Sequence, residues 1–274
     1  MIPYEMKDRY TINDLAEIVM LLRSKDGCPW DKEQTHESIR SGLIEETYEV
    51  IEAIDQKDPE LLREELGDLL LQVVFHAQLE QEQNSFTLDD VCTDICKKMI
   101  LRHPHVFSTT QADTTEEVLK NWEEIKEESK HQTTRTQTLE SVAKTLPALM
   151  RAQKVNKRAA KNDLHFLCNE SVLASVTECK NALEYAMHME DQVQIERAMG
   201  ELLFCCAGMA QQLGIQAEQA LTDTTNQFIQ CFGAVEDTCM RENRPLESLS
   251  RSEWIDLWQK SKHSIEEEND HAAG

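Results

Sequence analysis

The chain has no run approaching ~18 uninterrupted apolar residues, no Gly-x-x-x-x-Gly-Lys loop, no Gly-x-Ser-x-Gly and no Cys-x-x-Cys. The first absence argues against a membrane span. Glu5, Lys7, Asp8 and Arg9, ahead of any apolar segment, argue against a signal peptide. Without the glycine-rich loop, P-loop chemistry is excluded in its usual form, and no nucleophile motif of the serine-hydrolase kind is present. The nine cysteines are odd in number, and Cys92, Cys205 and Cys206 lie inside apolar helical runs, where cysteine behaves as a small hydrophobe. They imply a reducing cytoplasm and no disulfides. Basic residues are scarce: 28 Lys and Arg stand against 51 Asp and Glu, a net charge of −23. A nucleic-acid polymer or an anionic membrane needs basic patches, so neither is expected as a partner.

Strand signals are nearly absent as well, and the periodicity is helical almost throughout, which predicts an all-α protein. Leu15, Ile18, Val19, Leu21 and Leu22 form one stripe, and Leu69, Leu70, Val73, Val74 and Ala77 a second. Asp58-Pro59 supplies an N-cap and a first-turn proline, so a helix should begin there and run through Glu65 and Asp68. Gly27-Cys28-Pro29 and His103-Pro104-His105 punctuate loops. A length of 274 residues suggests two domains. The polar stretch from Glu127 to Thr138 marks the division, giving expected domains at 1–130 and 146–265, a linker at 131–145 and a disordered tail at 266–274.

Within the apolar helical segments sit two pairs of acids, Glu46 with Glu49 and Glu65 with Asp68. A three-residue step puts both side chains of a pair on one helix face. Two such helices side by side would gather four carboxylates. Like charges ~4 Å apart repel by roughly 4 kcal/mol at an effective dielectric near 20, and a hard cation held by oxygens would remove that repulsion. Either pair alone reads better as a solvated stripe beside Arg63 or Lys57.

The whole string, Glu45-Glu46-x-x-Glu49 followed by Glu65-x-x-Asp68, resembles the MazG-type nucleoside triphosphate pyrophosphohydrolases. Three further stretches share the likeness: Gly27-Cys28-Pro29-Trp30-Asp31 with Gln34-Thr35, Arg102-His103-Pro104-His105-Val106-Phe107, and Trp122-Glu123-Glu124-Ile125-Lys126. The resemblance runs from about Leu15 to Lys262. It implies tandem MazG-like helical bundles assembled as a homodimer, and Mg2+-dependent hydrolysis of nucleoside triphosphates to monophosphate and pyrophosphate. Glu46, Glu49, Glu65 and Asp68 would be the metal ligands, with Glu45 as an outer acid or an orienter of the attacking water. Lys98 and Arg102, spaced i, i+4, would meet the triphosphate, although alone they read as a solvated face. The family carries a further basic residue where this chain has Leu101. Trp122 would lie against the nucleotide and Lys126 near its phosphates, or Trp122 would anchor a helix. Trp30 is expected to plug a loop near the pocket, and His103 and His105 to shape their loop.

The second half repeats the first at an offset of 133 residues, placing Gly67-Asp68-Leu69-Leu70 on Gly200-Glu201-Leu202-Leu203. The same offset (179 − 46 = 133) puts Cys179, Ala182, Ala198 and Glu201 at the places of Glu46, Glu49, Glu65 and Asp68. Three of the four acids are gone while the apolar frame survives, as in a discarded metal site. After allowing a few residues of insertion, Gln227 and Cys231 stand for Lys98 and Arg102, while Trp258 and Lys262 repeat the Trp122 and Lys126 pattern. Two rival readings remain. A di-iron bundle needs Glu-x-x-His in its core, and Glu33-x-x-His36, Glu128-x-x-His131 and Glu268-x-x-His271 fall in polar or terminal stretches. A non-catalytic helical module that senses nucleotides or assembles partners is the other.

Overall fold

A computed structural model describes residues 2–108, 114–128, 134–160 and 172–272. Those residues form α-helices and short turns with no strand, as the periodicity predicts. The chain divides into two compact units, Met1–Lys130 and His131–Gly274. The first holds α1 (Ile12–Arg23), α2 (Pro29–Glu33), α3 (Arg40–Asp55), α4 (Pro59–Glu82), α5 (Leu88–Arg102), α6 (Pro104–Phe107) and α7 (Thr115–Glu128). The second holds α8 (Arg135–Glu140), α9 (Ala148–Ala160), α10 (Val172–His188), α11 (Gln192–Gln212), α12 (Ala217–Arg241) and α13 (Arg251–Ala272).

The helix pair α3–α4 is the centre of the first unit. Asp58 caps α4 by accepting from the Glu60 and Leu61 amides at 2.9 and 3.1 Å, and Pro59 occupies the first turn. Lys57 turns the chain with a left-handed φ of 55°, so three residues suffice to reverse its direction. Ala53, fully buried, carries no side chain beyond Cβ to hold the helices apart. On its other side α4 presents Val74, Phe75 and Leu79 to Val19 of α1 and to Ile39. Val19 and Val74 are almost completely buried, and each contributes ~1.5–3 kcal/mol. Arg23 fastens this layer. Its guanidinium lies 5.2 Å from the Phe75 ring centroid, grips both Glu82 oxygens at 2.8 Å and donates to the Gln34 carbonyl.

The second unit repeats this frame. Asp191 caps α11 as Asp58 caps α4, and Glu190 takes a φ of 53° as Lys57 takes 55°. Ala186, Ala207 and Ala210 are buried 133 residues after Ala53, Val74 and Ala77, which are buried too (186 − 53 = 133). Around that frame, Gln153 of α9 donates to the Ile215 carbonyl and accepts from the Ala217 amide. Trp254 and Trp258 of α13 pack on Phe232 and Phe228 of α12.

Four expectations need correction. Residues 134–145, expected as linker, contain α8, which opens on a Thr134–Gln137 capping box, and a buried Val142. The expected tail is helical through Ala272, continuing α13, where His263 and Glu267 pair one turn apart. Trp30 is 65% exposed on α2 and plugs nothing. Leu70 and Val73 are 37% and 39% exposed, because the buried stripe of α4 runs instead through Val74, Phe75, Ala77 and Leu79.

His36, assigned to an idle polar stretch, meets α4. Its ring stacks on His76 with centroids 5.0 Å apart, its Nδ1 lies 2.7 Å from His76 Nδ1, and its Nε2 lies 2.9 Å from Glu80 Oε1. One proton fits between the two Nδ1 atoms, so the pair cannot become doubly cationic and stay joined. Burial, and then the His36 charge, lower the pKa of His76. A histidine whose folded pKa is lowered leaves the unfolded chain binding more protons, so stability falls as pH drops through the unfolded value near 6.5. Denaturant midpoints measured from pH 7.5 to 5.5 should therefore decline below pH 6.5, and His76→Gln should flatten that decline.

Candidate metal centre

Glu46 and Glu49 project from α3, and Glu65 and Asp68 from α4. The packing of the pair brings one oxygen each of Glu46, Glu49 and Glu65 within 4.8 Å of one another. Glu46 and Glu65 are half-buried, while Glu49 and Asp68 are exposed. The electrostatics are those of crowded acids. Burial raises the pKa of Glu46, and so do its hydrogen bond with Glu49 and the charges of Asp68 and Glu49, while a hydrogen bond from Gln72 opposes the rise. Burial likewise raises Glu65, followed by the charges of Glu49, Glu64 and Asp68.

Three of the four predicted ligands thus converge on one point, with Asp68 beside it as a further charge. Oxygens sharing one Mg2+ lie at most ~4.2 Å apart, twice a bond of ~2.1 Å. The triad needs to close by at most about 0.6 Å to hold such an ion. An all-carboxylate set suits a hard cation and not a thiophilic one. The residues fit a hard divalent cation held by oxygens. Glu45 is exposed on α3 and does not join the triad.

Sequence reasoning missed Gln72 and Gly42. Gln72 follows Asp68 by one helical turn and reaches Glu46. A Cβ on Gly42 would come within 2.9 Å of Gln72 Nε2, so the glycine leaves room for that amide. The i, i+4 spacing from Asp68 was the available signal for Gln72; nothing in the sequence marked Gly42.

The cationic and aromatic candidates form a second group on α5 and α7. The Arg102 guanidinium lies 5.1 Å from the Trp122 ring centroid, and its buried Nε has no hydrogen-bond partner among the described residues. Lys98 is exposed one turn earlier on α5. The side chain of Lys126 lies outside the described residues, as does His131. His103 closes α5, its Nδ1 2.7 Å from the Met99 carbonyl, and its ring tilts against His105 at 5.7 Å. These two histidines shape the turn into α6.

In the second unit the corresponding places are chemically changed. Ala182 and Ala198 offer no ligand, and the surviving Glu201 is bound by Arg197 Nε at 3.0 Å. Arg197 stands where the first unit has Glu64 (197 − 64 = 133), so the local charge is reversed. Where the first unit sets a cation on an indole, α12 and α13 set phenyl rings on indoles. Trp258 is a packing residue. Among the described residues, the α3–α4 triad is the one carboxylate, histidine or thiol group gathered tightly enough for a metal.

Residues 34–107, which contain the whole α3–α4 pair, match the MazG nucleotide pyrophosphohydrolase domain. The chain is 39% identical over 254 residues to a nucleoside triphosphate pyrophosphohydrolase of Escherichia coli K12, covering 92% of this chain and 97% of that one. It is 36% identical over 249 residues to the nucleoside triphosphate pyrophosphohydrolase/pyrophosphatase MazG of Thermotoga maritima, covering 91% and 94%. Likeness over nearly the full length of both relatives, with Glu46, Glu49 and Glu65 meeting across the α3–α4 pair, makes the chain a member of the MazG nucleotide pyrophosphohydrolase family.

Proposed function

We propose that the first unit hydrolyses nucleoside and deoxynucleoside triphosphates between the α and β phosphates, releasing the monophosphate and pyrophosphate. The observation that carries this reading is the convergence of Glu46, Glu49 and Glu65 on one point of a helix pair. Relatives named as nucleoside triphosphate pyrophosphohydrolases support it. Glu46, Glu49, Glu65 and Asp68 would hold Mg2+, which supplies charge neutralisation on the phosphates and a more acidic bound water. Gln72 orients the Glu46 carboxylate by donating to it. Glu45, next to the triad along α3, would sit beside it as an outer acid or orient the attacking water.

Lys98, Arg102 and Lys126 would pair with phosphate oxygens, and the Trp122 indole would lie against the base. Arg102 already rests on that indole, so the phosphate and base contacts are mechanically linked. Stacking of this kind is nearly base-blind, which favours a broad substrate range. The net charge of −23 keeps nucleic-acid polymers away yet admits a single nucleotide carried with its cation. We place the protein in the cytoplasm; among the described residues no helix is long and apolar enough to cross a membrane.

The second unit is read as a degenerate MazG-like bundle that has lost hydrolysis. A homodimer is the assembly we expect, supported by the uncovered rows Ile44, Tyr48 and Ile51 on α3 and Leu66, Leu70 and Val73 on α4, which are between 37% and 53% exposed. Apolar rows of this size on a soluble helix pair favour a second copy as cover.

Glu49→Ala should lower Mg2+-dependent pyrophosphate release by ~100-fold or more, whereas Glu201→Ala should leave the rate within about twofold. Loss with Glu201→Ala alone would move the site to the second unit. No release from the intact chain with any triphosphate would leave a nucleotide-sensing module. Trp122→Ala should raise KM about tenfold for every base alike, since a stacked base contributes ~1–3 kcal/mol. A loss confined to one base would show that the indole selects.

A further inference from the structure

The second unit has put two thiols where the first unit has two linked polar groups. Cys179 on α10 stands at the place of Glu46, and Cys205 on α11 at the place of Gln72, both at the 133-residue offset (205 − 72 = 133). In the first unit those two side chains meet across the helix pair through a hydrogen bond. In the second, the two Sγ atoms meet across the equivalent pair at 2.9 Å. That is closer than non-bonded sulfurs normally stand and about 0.9 Å longer than the ~2.05 Å of a disulfide bond.

The backbone favours this approach. Ala186 and Ala198 are buried with Leu183 where α10 meets α11, and the two alanines let the helices approach closely there. Both cysteines are half-buried, within reach of a small solute, whereas Cys231 and Cys239 are buried. A metal is the other ligand such a pair attracts, but zinc asks for four donors. Among the described residues no third ligand gathers with these two.

We propose that Cys179 and Cys205 form a reversible dithiol–disulfide couple that staples α10 to α11 when a low-molecular-weight disulfide is present. One thiol loses its proton and attacks the small disulfide, releasing one small thiol and leaving a mixed disulfide on the protein. The second thiolate then attacks the protein sulfur of that adduct and releases the second small thiol. The protein loses two protons and two electrons, and the small disulfide takes up both. In a reducing compartment the couple is open, and it closes as the thiol pool is oxidised. The bond would enclose a loop of 26 residues in the unit that lacks the carboxylate triad. It thus adjusts the stability of that unit without touching the proposed site of hydrolysis.

The full chain should be incubated with oxidised glutathione near pH 7.5, alkylated, digested without reductant and mapped by mass spectrometry. The expected product is a peptide pair joined through Cys179 and Cys205, lighter than the two thiol peptides by two hydrogen atoms and separated by dithiothreitol. Closing a loop of this length should raise the melting temperature of the second unit by about 10 °C. Cys179→Ser and Cys205→Ser should each abolish both signals, and Cys206→Ser should abolish neither. A stable glutathione adduct on either cysteine, or a bond through Cys206 instead, would overturn the proposal.

Discussion

The architecture turns on the close packing of α3 and α4, because it forces together groups that repel. Ala53 lets the two helices approach, the Asp58 cap and the left-handed Lys57 fix where the second begins, and Val74, Phe75 and Leu79 hold that second helix on α1. Burying two or three such side chains yields several kcal/mol. That is of the same order as the ~4 kcal/mol with which each pair of carboxylates at this spacing repels. The acids are therefore held in a crowded arrangement they would leave if the helices were free. Burial first, and then that crowding, raise the pKa values of Glu46 and Glu65.

The second unit shows what happens to the same frame when crowding is no longer required. Cap, turn and small buried residues persist at α10 and α11, while the acids give way to alanine and cysteine and an arginine arrives beside Glu201. The frame and the charges are separable. Backbone geometry is set by a few caps and small residues, and the chemistry is set by which side chains line the seam between the helices.

Much of this was legible in the sequence. The start of α4 could be read from Asp58-Pro59, because cap and proline act through local geometry alone, and the convergence of Glu46, Glu49 and Glu65 followed from their spacing. Failures came where local polarity misled. Thr134 and Gln137 look like linker residues until their capping box is noticed, and the tail looks disordered although it continues α13, where Glu267 pairs with His263 one turn back. His36 was invisible because its partners, His76 and Glu80, lie 40 and 44 residues away and meet it through tertiary packing. The exposure of Trp30 was equally hidden: a short helix starting at Pro29 turns the indole outward.

The three-residue turn between α3 and α4 also bears on how the molecule comes into being. Every proposed ligand lies between Glu46 and Asp68, so the acids are gathered by a contact between two consecutive helices, with little loop entropy to overcome. Synthesis runs from the N-terminus, and the seam can close once α1 and α4 have emerged, before any residue of the second unit exists. The nascent chain would then carry a finished set of carboxylates, able to capture a cation, while its other half is still being made.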